Sequence, residues 1–234
     1  MKDKVIIALD FSSALQALRL VHELHDLAGM FKVGSQLFMA EGPKIVNEII
    51  HNGGRVFLDL KFHDIPNTVM HAAIEAAKLH VTMMTIHASG GRAMMEVVSR
   101  ELRDRFGSRR PTVIAVTVLT SFDTRALFEI GLERPLEEQV ERLALFTEEC
   151  GIDGIVCSPR EIQTVRRAVQ SNFKIVTPGI RMPDQSLNDQ QRISTPHEAI
   201  AAGADYIVVG RAVTDDRNPR AAMQRLSDSI LTSK

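Results

Sequence analysis

Cysteine is scarce in this chain, long apolar runs are missing, and neither sign of charge predominates. Only Cys150 and Cys157 occur in 234 residues. With no secretion signal they read as reduced, buried thiols rather than a disulfide. Their spacing matches no zinc site, and no other tight cluster of ligating residues stands out, so no metal is expected. The longest apolar run near the start, Val5–Leu9, is too short for a membrane span or a signal-peptide core. The expected location is the cytoplasm, with no membrane partner. A net charge of −1 gives no electrostatic case for nucleic acid, and Arg109-Arg110 is too short a basic run to supply one. No linker, low-complexity tract or short-period repeat divides the chain. Residues 1–234 are therefore expected to form one domain, and 44% hydrophobic residues are enough for a sizeable core.

What is present is a regular alternation. Apolar, β-branched runs fall at Val5–Leu9, Phe31–Gly34, Arg55–Leu60, Val81–His87, Thr112–Leu119, Gly154–Cys157, Lys174–Thr177 and Tyr206–Val209. Helix-like segments lie between and after them: Ser12–Ala28, Pro43–His51, Asn67–Lys78, Gly91–Phe106, Pro135–Cys150, Arg160–Val169, Pro196–Ala202 and Pro219–Leu231. Ser12 and Pro196 read as helix starts, and Gly53, Gly151 and Gly203 as helix stops. Strand–helix alternation implies parallel strands joined by crossover helices. Eight of each suggest an α/β fold of the closed (β/α)8 (TIM) barrel type. The competing open, doubly wound sheet lacks its Gly-rich dinucleotide fingerprint, since Asp10-Phe11-Ser12-Ser13 follows the first strand. Ser121–Arg134 and Gly179–Thr195 are the longest irregular stretches, and long loops in compact domains are often lids or binding loops.

The most informative segment is Asp59-Leu60-Lys61-Phe62-His63-Asp64-Ile65-Pro66-Asn67-Thr68. Strand alternation places Asp59 and Lys61 on one side. Two carboxylates and an ammonium within six residues are costly unless the charges pair. Opposite charge on either side favours the ammonium form of the lysine. Such a group can deliver a proton, and the acids can repel an anionic substrate group. Read alone, the motif has a plain alternative, an ion pair closing a strand end.

Active sites of such barrels lie at the carboxyl ends of the strands. There the sequence places Asp10, Lys32, Asp59, Lys61, Asp64, His87, Thr120, Thr177-Pro178-Gly179-Ile180-Arg181 and Gly210-Arg211. The opposite strand ends are expected to hold no comparable collection of charge. Loops seven and eight of such barrels often bind phosphate through backbone N–H groups. Gly179 and Gly210 would allow close approach of an anion, Arg181 and Arg211 offer forked donors, and Gln190 a neutral one. Two surface arginines beside turn glycines are the plain alternative. Asp10 suits sugar hydroxyls, or else a helix N-cap.

Other residues carry less. His63 should point away from the Asp59/Lys61 face, as a packing residue, and His87 reads as structural. Met83, Met84, Met94 and Met95 read as core fillers. Glu137, Glu138 and Glu141 read as a solvated helix face.

The decapeptide resembles the signature of the orotidine 5′-phosphate decarboxylase family, bacterial type. The likeness extends through Ala8-Leu9-Asp10, Lys32-Val33-Gly34, Val116-Thr117-Val118-Leu119-Thr120-Ser121, Thr177-Pro178-Gly179-Ile180-Arg181 and Val209-Gly210-Arg211, essentially the whole chain. A bare Asp-x-Lys-x-x-Asp is less specific, because related sugar-phosphate enzymes share it.

The resemblance implies a homodimeric, cofactor-free carboxy-lyase that converts orotidine 5′-monophosphate to UMP and carbon dioxide, the last step of de novo pyrimidine synthesis. It implies that Lys61 donates the proton to C6, that Asp59 flanks the departing carboxylate, and that Lys32 holds the charged network and a ribose hydroxyl. Asp64 and Thr68 would reach the partner's site. Asp10 would bind ribose, Thr120 or Ser121 the pyrimidine, and Arg181, Gln190, Arg211 and the Gly210 backbone the phosphate. Two alternatives stay open. One is a magnesium-dependent keto-sugar-phosphate decarboxylase or aldolase on the same barrel. The other is a non-catalytic phosphate-binding barrel.

Overall fold

In a computed structural model, residues 2–181 and 194–231 are described. Eight parallel strands close into a barrel in sequence order, each hydrogen-bonded to the next and the last to the first. They are β1 (Val5–Ala8), β2 (Met30–Gly34), β3 (Val56–Phe62), β4 (Met83–His87), β5 (Thr112–Val116), β6 (Gly154–Val156), β7 (Lys174–Thr177) and β8 (Tyr206–Val209). The helices are α1 (Ala14–Leu24), α2 (Ser35–Glu41), α3 (Lys44–His51), α4 (Pro66–Lys78), α5 (Arg92–Phe106), α6 (Thr124–Glu129), α7 (Leu136–Glu149), α8 (Ile162–Ala168), α9 (Pro196–Ala201), α10 (Arg211–Thr214) and α11 (Pro219–Leu231). None among the described residues is long and apolar enough to cross a membrane.

Strands of such a barrel are buried on both faces, which is why their sequences run apolar without alternation. One face fills the barrel with Ile6, Ala8, Met30, Phe57, Met83, Ile114, Val176 and Val208. The other face meets the helices in a larger cluster that includes Ile7, Val33, Leu58, Ile86, Val113, Ile155, Ile175 and Ile207. Met83, Met84, Met94 and Met95 are core residues, as expected. Cys150 and Cys157 are buried thiols, and burial pushes the Cys150 thiol up. Gly53, Gly151 and Gly203 follow α3, α7 and α9 with φ of 80°, 72° and 112°, the left-handed geometry that ends a helix.

Three expectations need correction. Helix α1 does not start on Ser12. Its N-cap is Ser13, which makes no side-chain cap bond; Glu41 of α2 accepts the Ala14 N–H instead, at 2.7 Å. The fifth strand stops at Val116, and Thr117 closes it, its N–H and its hydroxyl both donating to the Val156 carbonyl, at 3.4 and 2.9 Å. Part of the irregular stretch 121–134 is helix α6, capped by Asp123, whose carboxylate accepts the Ala126 N–H at 2.8 Å.

The amino-terminal end of the barrel also gathers charge, contrary to expectation. Asp153, just before β6, accepts the Val113 N–H of β5 at 2.8 Å and pairs with Arg110 at 2.6 Å. Asp205, just before β8, accepts the Ile175 N–H of β7 at 2.9 Å and pairs with Arg166 at 2.6 Å. Asp3 pairs with Arg55, whose Nε donates to the Gly29 carbonyl at 2.7 Å. Each of these pairs is tied to main-chain groups at strand starts. They act as staples that register neighbouring strands, and charge at this end of such a barrel belongs to stability.

Candidate active site

At the carboxyl ends of β1, β2 and β3 the barrel floor gives way to four charges in series. Asp10 Oδ1 lies 3.0 Å from Lys32 Nζ, Lys32 Nζ lies 3.7 Å from Asp59 Oδ2, and Asp59 Oδ2 lies 2.8 Å from Lys61 Nζ. Signs alternate along the row, so each charge that leaves water gains an opposite neighbour. Exposure rises towards both ends. The side chains of Lys32 and Asp59 are 13% and 12% exposed, those of Lys61 and Asp10 38% and 65%. A Cβ on Gly34 would stand 3.1 Å from Lys32 Nζ, so the absent side chain leaves room for the ammonium.

Lys61 is held in an unusual backbone. A four-residue advance of β3, from Leu58 to Phe62, spans a two-residue advance of β4, from Met84 to Ile86. The extra length is absorbed at a bulge, where Lys61 has φ +52°. His80, the other non-glycine residue with positive φ among those described, follows a helix end, where the left-handed turn is common. Lys61 has no such local reason. A strained conformation of this kind costs roughly 1–3 kcal/mol and persists only where the surroundings dictate it. They do so through Thr85 on β4, fully buried. Its hydroxyl accepts the Lys61 N–H at 2.8 Å and donates to Asp59 Oδ1 at 3.0 Å. Sequence reading passed over Thr85. Alternation from Met83, a barrel-filling residue, marked it as a polar group facing inward.

Lys32, Asp59 and Lys61 line one side of a cavity of about 170 Å3. Its floor is Phe57, Val116, Val156, Val176 and Val208, and Leu119, Thr120 and Pro178 stand at its rim. Charged and apolar side chains thus share one small cavity, a lining suited to a ligand with a polar edge and apolar faces.

Several expected residues are not assembled with these four. Asp64, Thr68 and Ser121 are exposed, and Asp64 Oδ1 accepts its neighbour's N–H, from Ile65, at 2.6 Å. Arg211 is exposed beside Gly210 at the start of α10. Arg181 is buried, and its N–H donates to the Ser194 carbonyl at 3.1 Å. Gln190 lies outside the described residues.

A larger cleft, about 960 Å3, opens beside the cavity. His63 and His87 line it, their ring centroids 5.1 Å apart, together with Leu119, Ile130, Leu132 and Leu145. His63 therefore faces this cleft and is exposed rather than packed inward. Burial, followed by the nearby charges of His63 and Lys61, pushes His87 below its ordinary 6.5, while Asp59 pulls the other way.

The profile of the "Orotidine 5'-phosphate decarboxylase / HUMPS family" matches residues 3–226. The chain belongs to this family. It is 49% identical over 232 residues to orotidine 5'-phosphate decarboxylase of Syntrophotalea carbinolica, covering 98% of this chain and 95% of that one. It is 48% identical over 231 residues to the Geobacter sulfurreducens protein of the same name, covering 98% and 97%. Among solved structures, orotidine 5'-phosphate decarboxylase from Lactobacillus acidophilus superposes with a TM-score of 0.85 at 36% identity, over 97% of this chain and 99% of that one.

Proposed function

We propose that the Asp10–Lys32–Asp59–Lys61 row decarboxylates orotidine 5′-monophosphate, giving UMP and carbon dioxide as a step of pyrimidine biosynthesis. The family membership and the named relatives support the reaction. The observation that carries the residue assignment is the Lys61 ammonium, 2.8 Å from Asp59 at the edge of an apolar-floored cavity.

The chemistry follows from the charges. The bond from C6 to the carboxylate breaks, its electron pair stays on C6, and carbon dioxide leaves. That pair lies in the ring plane and has no adjacent π-system to accept it. The Lys61 ammonium supplies a fixed positive charge there and then transfers its proton to C6, after which the amine regains a proton from solvent. Asp59, beside the substrate carboxylate, disfavours the bound ground state. Lys32 holds Asp59 in place and donates to a ribose hydroxyl, with Asp10 accepting from the ribose. Thr120 or Ser121 contacts the pyrimidine. The Gly210 backbone, Arg211, Arg181 and Gln190 hold the phosphate. Phosphate binding far from C6 offsets the cost of ordering the site.

Residues 1–234 act as one catalytic domain, in the cytoplasm, as a homodimer. The exposed segment Asp64-Ile65-Pro66-Asn67-Thr68 supports the dimer, with Ile65 66% exposed at the start of α4. So do the exposed apolar side chains around the large cleft, Leu119, Ile130, Leu132 and Leu145. In this reading the partner subunit's Asp64 and Thr68 complete each site.

A magnesium-centred reaction suits the donor set less well. Asp59 Oδ2 faces two ammonium groups and Oδ1 accepts the Thr85 hydroxyl proton, so a divalent cation at this carboxylate would meet two like charges at close range. The test is ultraviolet absorbance of orotidine 5′-monophosphate mixed with the protein in excess EDTA. Spectral conversion to UMP is expected. An unchanged spectrum with folded protein, or activity restored only by magnesium, would overturn the reading.

A further inference from the structure

We propose that Thr85 is a positioning residue for the decarboxylation, setting both the backbone and the ammonium of Lys61. The inference rests on the catalytic assignment above. Thr85 is fully buried and faces the barrel interior two residues before the strand end. A hydroxyl has one proton to give and lone pairs to receive. Here its oxygen accepts the Lys61 N–H at 2.8 Å, and its proton goes to Asp59 Oδ1 at 3.0 Å. The second Asp59 oxygen, Oδ2, receives Lys61 Nζ at 2.8 Å.

These contacts form a closed circuit. It runs from the Lys61 main chain through the Thr85 hydroxyl to the Asp59 carboxylate, and returns to Lys61 through its own ammonium. The direction of each bond is determined. The N–H can only donate, so the hydroxyl proton is directed to Asp59 Oδ1, while Oδ2 faces the lysine. At the bulge, where β3 has lost its regular pairing with β4, Thr85 supplies a partner for the Lys61 N–H that the ladder does not. It thereby holds the φ +52° backbone. Without that bond the N–H would be left unsatisfied and Lys61 could relax to an extended backbone, moving its ammonium. Displacement of about 1 Å at a reacting group can cost about a hundredfold in rate.

Thr85→Val keeps the side-chain shape and removes the hydroxyl; Thr85→Ser keeps the hydroxyl. In the valine variant kcat is expected to fall about tenfold to a hundredfold. KM for orotidine 5′-monophosphate and the Kd for UMP should stay within about threefold, because a uniform binding contact is not what is lost. The serine variant should retain kcat within about threefold of the parent. A folded valine variant with parental kcat would overturn the proposal. So would a serine variant as impaired as the valine one, or a valine defect seen in KM alone. If the valine variant does not fold, Thr85→Cys replaces it, since a thiol is a weak donor and acceptor. The cysteine variant should lose the kcat that serine keeps, and equal rates in the two would refute the role. An inactive parent protein would instead count against the catalytic reading itself.

Discussion

Lys61 Nζ sits 2.8 Å from Asp59 Oδ2, a partner only two residues back along the same strand. Simple alternation puts both side chains on one face of β3. The contact nevertheless forms through a bulge and a left-handed lysine. The pair is therefore held by the neighbouring strand as well as by its own, and a change on β4 can reach the Lys61 ammonium.

Arg211→Ala should weaken UMP binding by about 1.5–3 kcal/mol, the usual loss for a hydrogen bond to a charged group. Binding of uridine, which lacks the phosphate, should change little. Calorimetric titration of both ligands checks this. Equal UMP affinity in variant and parent would remove Arg211 from the phosphate site.

Asp64→Asn and Lys61→Ala proteins should each be inactive, and mixing them should recover activity. In a mixed dimer the Asp64→Asn subunit keeps its own Lys61 and borrows the partner's Asp64, which makes one competent site. Turnover measured after proven subunit exchange decides the matter. No recovery would mean that each barrel works without its partner's loop.

His87 is held below 6.5 chiefly by burial. As pH falls through 6.5 the unfolded chain takes up a proton at this position while the fold keeps the ring neutral. Its contribution to stability is thus complete above about 6.5 and declines below, until the folded midpoint is passed. An NMR titration of the His87 ring should give a midpoint under 6.5. A midpoint at or above that value would contradict the burial argument.

Asp205→Asn removes a charge that pairs with Arg166 and accepts the Ile175 N–H at the far end of the barrel. Both partners are about a quarter exposed, 27% and 23%, so solvent screens the pair. A loss of about 1–2 kcal/mol is expected in urea unfolding. Because the site lies at the opposite end, kcat should be parental. A large fall in kcat would show that the two ends of the barrel are coupled.

The barrel was legible because strands buried on both faces leave apolar β-branched runs, and Lys174–Thr177 and Tyr206–Val209 match their predicted bounds. The charged row was legible because Asp10 follows β1, Lys61 lies near the end of β3, and Lys32 and Asp59 are charges inside otherwise apolar strands. Helices α2, α6 and α10 were not: α2 and α10 follow β2 and β8 with at most one residue between, and α6 lies inside a stretch that reads as irregular, so none shows as a separate periodic segment. The bulge at Lys61 leaves no glycine to betray it. Its cause lies in Thr85, 24 residues away, so no local pattern reports it. The staples Asp153 and Asp205 look like ordinary loop acids until the strands they join are side by side.

The central claim is that the Lys61 ammonium stabilises and then protonates the C6 carbanion, and Lys61→Ala tests it most directly. The variant should fold, should still bind UMP, and should convert orotidine 5′-monophosphate at a rate lower by at least about four orders of magnitude, as expected for loss of both a preorganised charge and a general acid. Turnover close to the parent's in the folded variant would contradict the account.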